Sequence, residues 1–249
     1  MRRLGGRAML AVAALIGSSF ILVSLVVGGR LLLLGFRAKR APELAIGLGL
    51  FSMGGFSSPL LVVSQLAEGL GVGARAGCAL VAAALMAAGM TSLLWFTWRV
   101  FRPKERWARW LLAGFAVAFA GCVIGQAVSP GYAAIALKQE LPWLSYRLLT
   151  SAALAWCGVE SLHYSRISAR RQRIGLSDPA VTNRFLLWGG STLTCTLLTV
   201  VTGVLDPSLS GSLVGVVAAA PVALAASVSL WFAFLPPAFY TRWLLARPA

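Results

Sequence analysis

Glu160 and His163 form an E-x-x-H pair, the helical spacing that carboxylate-bridged metal sites use. A metal ion asks for further ligands, and His163 is the only histidine in the chain. The other acidic residues, Glu43, Glu68, Glu105, Glu140, Asp178 and Asp206, stand mostly at loops or helix ends, so no metal site is expected. Glu160 also belongs to a longer pattern. Tyr146, Thr150, Ala153, Cys157, Glu160 and Tyr164 follow at intervals of 4, 3, 4, 3 and 4 residues, one face of a helix with a tyrosine at each end. A face so small and polar avoids lipid, and a carboxyl on it turns inward and finds a cation. Arg30, Arg99 and Arg184 lie at comparable depth. With Glu160 and His163 they make the expected charge network, either an ion pair that fixes helix register or a protonation switch.

A second polar face follows. Thr192, Thr196 and Thr199 align with Gly203 and Asp206, and Ser191, Thr194 and Thr202 lie nearby. Hydroxyls in an apolar helix bond the carbonyl of the preceding turn, which is one reading of the stripe. The other is a polar cavity that opens outward, lined by these threonines with Gln126, Tyr146, Thr150 and the neighbouring Arg147 as ligand-binding residues. No catalytic set accompanies it: there is no G-x-S-x-G elbow, no H-E-x-x-H and no phosphate-binding glycine loop. The last long apolar stretch contains no lysine for a retinal Schiff base, so neither catalytic residues nor a cofactor are expected. Cys78, Cys122, Cys157 and Cys195 all fall within apolar stretches without C-x-x-C spacing and read as packing residues.

The elements that carry these faces are apolar. Of 249 residues 59% are hydrophobic and 12% charged, and the mean hydropathy is +0.82. That is too little charge to cover a soluble domain, so the solvent is largely lipid. A span needs about 20 apolar residues to cross about 30 Å of hydrocarbon. Seven stretches reach that length, at about 9–33, 43–66, 76–99, 108–128, 142–163, 184–205 and 212–235. They are continuously apolar rather than alternating, which predicts an all-α, polytopic membrane helix bundle, a single domain over residues 1–249. Pro42, Pro103, Pro142 and Pro179 mark helix starts and ends, whereas Pro59, Pro221, Pro236 and Pro237 predict kinks.

The net charge of +15 sits in short blocks between the apolar stretches, as anchors to anionic lipid rather than a nucleic-acid surface. With the N-terminus outside and the C-terminus inside, only Arg75, Lys138 and Arg147 of the 22 basic residues fall in outer positions, apart from Arg2, Arg3 and Arg7 on the tail. The remaining sixteen lie inside, which favours this topology, although the tail arginines must then cross the membrane. Trp98, Trp107, Trp110, Trp231, Tyr240 and Trp243 mark an inner interface, and Tyr132, Trp143 and Tyr146 an outer one. Small residues at four-residue spacing, Ala13 with Gly17, Ser24 with Gly28, Gly54 with Ser58, Gly121 with Gly125 and Gly211 with Gly215, predict close helix packing within the chain. Gly121 with Gly125 would otherwise face a second copy in a homo-oligomer.

The segments Leu176 to Trp188 (LSDPAVTNRFLLW), Pro42 to Leu44 (PEL), Trp98 to Pro103 (WRVFRP) and Phe234 to Tyr240 (FLPPAFY) resemble an uncharacterised family of bacterial seven-helix membrane proteins. More distantly the chain is similar to the seven-helix input modules of bacterial sensor proteins. Such modules are usually followed by an output domain. Here the sequence ends about a dozen residues beyond its last span, so the resemblance implies a separate signalling partner at the basic inner loops. The resulting expectation is an inner-membrane, receptor-like or sensory module that detects a small or lipid-soluble ligand through the outer ends of helices four to six. The alternatives are a small-solute transporter with Glu160 as its proton-coupled group, and a structural subunit of a membrane complex. Lys39, Lys104 and Lys138 are the only lysines among the basic residues, a bias that points to a GC-rich bacterial genome.

Overall fold

The computed structural model describes residues 2–67, 69–128, 141–201 and 213–245. All elements within them are helices: α1 (Arg2–Ala38), α2 (Ala41–Leu50), a π-helical segment (Phe51–Ser57), α3 (Ser58–Leu66), α4 (Val72–Phe101), α5 (Arg106–Val128), α6 (Leu141–Gln172), α7 (Pro179–Val200), α8 (Leu213–Phe234) and α9 (Ala238–Leu245). Tyr132, Lys138, Glu140, Thr202, Gly203, Asp206 and Gly211 lie outside the described residues, as does Glu68.

Local chemistry sets the ends. Asp178 caps α7, its side chain accepting from the Ala180 N–H at 2.8 Å, and Pro179 opens the helix where a missing N–H costs nothing. Lys39 (φ 52°) and Gly175 (φ 74°) turn the chain out of α1 and α6 through the left-handed region. The predicted kink at Pro59 takes a specific form. A proline ring collides with the carbonyl four residues before it and lacks the N–H that would bond there. The chain answers by widening over Phe51–Ser57, where the Ser58 N–H bonds Met53 O, five residues back.

Among the described residues seven helices close a ring in which α1 packs on α2, α2 on α4, α4 on α5, α5 on α6, α6 on α7, α7 on α8 and α8 on α1. A further contact of α4 with α6 leaves α5 at the periphery. The tightest crossings are glycine to glycine. A Cβ at Gly47 would come within 3.0 Å of Gly28 O, one at Gly89 within 3.0 Å of Gly49 O, and one at Gly189 within 3.0 Å of Gly158 O. These three pairs bring α1 onto α2, α2 onto α4 and α6 onto α7 at backbone distance. Ser24, Gly28 and Gly54 take part in the α1 crossing, as the small-residue spacing predicts for Ser24 with Gly28, whereas a Cβ at Gly17, Gly121 or Gly125 would meet open space.

Among the described residues five stretches are long and apolar enough to cross a membrane: Gly17–Ala38, Ala41–Ser64, Val72–Phe101, Arg106–Val128 and Val217–Phe234. They match the first four and the last of the stretches expected from sequence. Helices α6 (32 residues) and α7 (22 residues) have the length, but the polar residues from Arg147 to Glu160 and from Asn183 to Thr199 set them apart. The α1–α2 turn, the end of α4, the start of α7 and the end of α8 meet at one end of the ring, bringing Arg40, Val100, Arg184 and Phe234 together. This is the end where the basic loops were expected to gather.

Candidate functional site

One face of α7 carries Arg184, Trp188, Ser191, Thr192, Cys195 and Thr199, at steps of 4, 3, 1, 3 and 4 residues. All six line one of two cavities inside the ring, and Trp188 is the lining side chain common to both. Its indole is 3% exposed and sits edge-on to Phe234, ring centres 5.8 Å apart. The Trp188 Nε1–H has no hydrogen-bond partner. A buried indole N–H normally finds one.

The deeper cavity, about 180 Å³, is walled by Phe20, Met53, Met86, Met90 and Leu154 opposite the α7 face, with Thr150, Ala226 and Leu230 closing it. Three methionines give it an unbranched, polarizable wall that adapts to an occupant's shape. Its threonines are committed: Thr150 donates to Tyr146 O, Thr192 to Trp188 O and Thr199 to Cys195 O, each at 2.9 Å. Their oxygens can still accept a hydrogen bond, but their protons are spent on their own helices. The second cavity, about 440 Å³, lies at the basic end and combines Leu34, Ile46, Phe96, Phe185 and Phe234 with Arg40, Glu43 and Arg184.

The α6 stripe is buried as its spacing predicts: Tyr146, Thr150, Ala153, Cys157 and Glu160 all face the bundle. Most of it runs along α4 rather than into a cavity. The Tyr146 hydroxyl donates to Ala83 O at 2.7 Å, and Thr97 Oγ1 lies 3.1 Å from Cys157 Sγ. Tyr146 is therefore a packed interior residue rather than an interfacial anchor. The cation that meets Glu160 is Arg102, not Arg30, Arg99 or Arg184. Arg102 Nε stands 3.1 Å from Oε1 and 3.0 Å from Oε2. Arg30 and Arg99 are exposed, and Arg184 Nε donates to Ala233 O at 3.0 Å. Residue 102 follows the last turn of α4 with φ −133° and ψ 46°, so its side chain folds back where a helical residue's would not. His163 is exposed while Glu160 is buried, so the E-x-x-H pair does not converge. Among the described residues no three His, Cys, Asp or Glu side chains gather to hold a metal.

The outward cavity expected from Gln126, Tyr146, Arg147 and the threonines divides in two. Thr150, Thr192 and Thr199 share the deep cavity, and Thr196, bonded to Thr192 O, stands outside its wall. Gln126 and Tyr146 pack on the α4–α5 side, where Tyr146 meets Phe119 edge-on at 5.7 Å. The Gln126 side chain is 1% exposed, and neither its Nε2 nor its Oε1 has a partner. Arg147 is half-buried next to Tyr146. Trp188, Met53, Met86, Met90 and Arg102 carry no sequence signal of their own. The step pattern from Arg184 to Thr199 does, once Trp188 is read into the polar stripe.

Comparison with protein-family models, with curated proteins and with solved structures returns no match.

Proposed function

We propose that the protein is a seven-helix integral membrane module of the bacterial inner membrane, N-terminus outside and C-terminus inside, that binds a small lipid-soluble molecule within its ring. Binding to the deep cavity shifts the α7 face and is reported by the basic inner loops to a separate partner. One observation carries this reading: the cavity walled by Met53, Met86, Met90 and the α7 face, with Trp188 at its floor. An apolar, concave, methionine-walled space with few polar groups is how small-molecule sites are built. Native mass spectrometry of the purified chain tests it. A small bound mass that disappears in Met90→Trp, which fills the cavity, supports it; identical spectra from both proteins would sink it.

The meeting of the two cavities at Trp188 favours a second reading, a permease in which that indole separates an inner chamber from a deep one. Glu160, paired with Arg102, lines neither chamber, so this reading draws on Trp188 rather than on proton coupling. Flux in proteoliposomes that rises in Trp188→Ala would favour the permease over the receptor.

A further inference from the structure

We infer that the ligand is an anionic amphiphile, its acidic head held by Arg184 at the basic end and its apolar tail lying along Trp188 toward the deep cavity. This rests on the binding reading above and adds the chemistry of the occupant.

Three ionised side chains line the cavity at the basic end. Arg40 and Glu43 answer each other through a 3.5 Å ion pair, which leaves Arg184 as the unbalanced charge. Its Nε is occupied by Ala233 O, a carbonyl in the last turn of α8 that has no helical partner of its own. That bond fixes the guanidinium plane. The two terminal nitrogens make no hydrogen bond or ion pair among the described residues. A guanidinium oriented along one edge and open on the others is a fork for a carboxylate or phosphate.

The rest of the wall argues for a tail. Leu31, Leu34, Ile46, Phe96, Phe185 and Phe234 surround the arginine with apolar surface that a bare inorganic anion would leave unused. Residues 184 and 188 are one helical turn apart on the same face, so a head at Arg184 places the next atoms of the ligand at the Trp188 indole. Beyond it the deep cavity has no ionised group, and its threonine protons are already donated, so it suits hydrocarbon and not a second head. The site is thus polarised from charged to apolar, as a fatty acid or an acidic phospholipid is.

Tryptophan quenching by chain-brominated probes tests the inference on the full-length chain in zwitterionic nanodiscs. Trp188 is isolated as the difference between wild type and Trp188→Phe. The expected result is saturable quenching of Trp188 by brominated stearate, with a midpoint raised about tenfold or more in Arg184→Gln, the loss of one charge-assisted contact. Brominated stearyl alcohol, which keeps the tail and lacks the anion, should bind correspondingly more weakly; this comparison uses wild-type protein and stands even if the arginine variant misfolds. Saturable quenching by brominated phosphatidylglycerol but not by stearate would support the same chemistry with a bilayer lipid as its source. Equal binding of alcohol and acid would overturn the anionic head while leaving the cavity reading intact. Absence of saturable quenching by all three probes would remove both.

Discussion

Arg102 grips Glu160 through a single nitrogen, Nε, which stands 3.1 Å from one carboxylate oxygen and 3.0 Å from the other. The carboxylate side chain is 8% exposed and the arginine 33%, so the acid is enclosed while the base keeps contact with its surroundings. The pair ties the end of α4 to the middle of α6. Glu160→Gln should cost less than Arg102→Gln, because only the second leaves a buried carboxylate without its cation. About 1–3 kcal/mol is expected for Arg102→Gln, discounted for the arginine's partial exposure. Thermal denaturation in detergent would check this, and the double variant should recover part of the loss.

The glycine crossings predict a contrast. Gly89→Val places a branched side chain against Gly49 O and Met53, and overpacking of that kind costs about 1–3 kcal/mol or more. Gly121→Val meets open space on α5 and should leave the melting temperature within error of wild type. A destabilised Gly121→Val with unchanged oligomeric state would contradict the packing described for α5.

Tyr146→Phe removes the bond to Ala83 O and keeps the ring against Phe119. A loss of about 1 kcal/mol is expected, since the Ala83 carbonyl also bonds within its own helix and is not orphaned. Denaturant titration of the two proteins gives the difference directly.

Topology turns on one loop. If α6 and α7 cross the membrane, a reporter fused at Arg171 lies inside, together with Lys39 and Lys104. If they do not, Arg171 shares the outer side with Gly71 and Lys138. Accessibility of substituted cysteines in intact cells distinguishes the two, and an outward Arg171 would reduce the spans to five.

The all-helical class and five of the long apolar stretches were legible because both depend on composition over about 20 residues. The buried α6 stripe was legible for the same kind of reason, a local spacing with one physical interpretation. What pairs with what was not. Arg102 meets Glu160 only because the chain leaves the helix at residue 102, a dihedral that no spacing reveals. The crossings of Gly47 with Gly28 and Gly158 with Gly189 join different helices, so a search within each helix finds at most one member of each pair. The threonines of α7 divide between two explanations that both hold: Thr192 and Thr199 are bonded to the turn before them, and they also line the cavity. Gln126, polar and deep, is buried on the peripheral helix α5 and lines neither of the two cavities described.

The seven π-helical residues from Phe51 to Ser57 uncouple chain length from chain direction. An α-helix advances about 100° per residue, and the wider π-turn takes up one extra residue, so the side chains downstream keep the facing of an ordinary helix one residue shorter. Removing one residue there would let the segment relax to ordinary helix with Ser58 and the remainder of α3 still facing α4, whereas a deletion elsewhere in α2 or α3 would turn every residue beyond it by about 100°. A deletion scan along residues 41–66 should therefore find its most tolerated position in this segment, where the protein would insert with Ser58 and the wall beyond it unmoved.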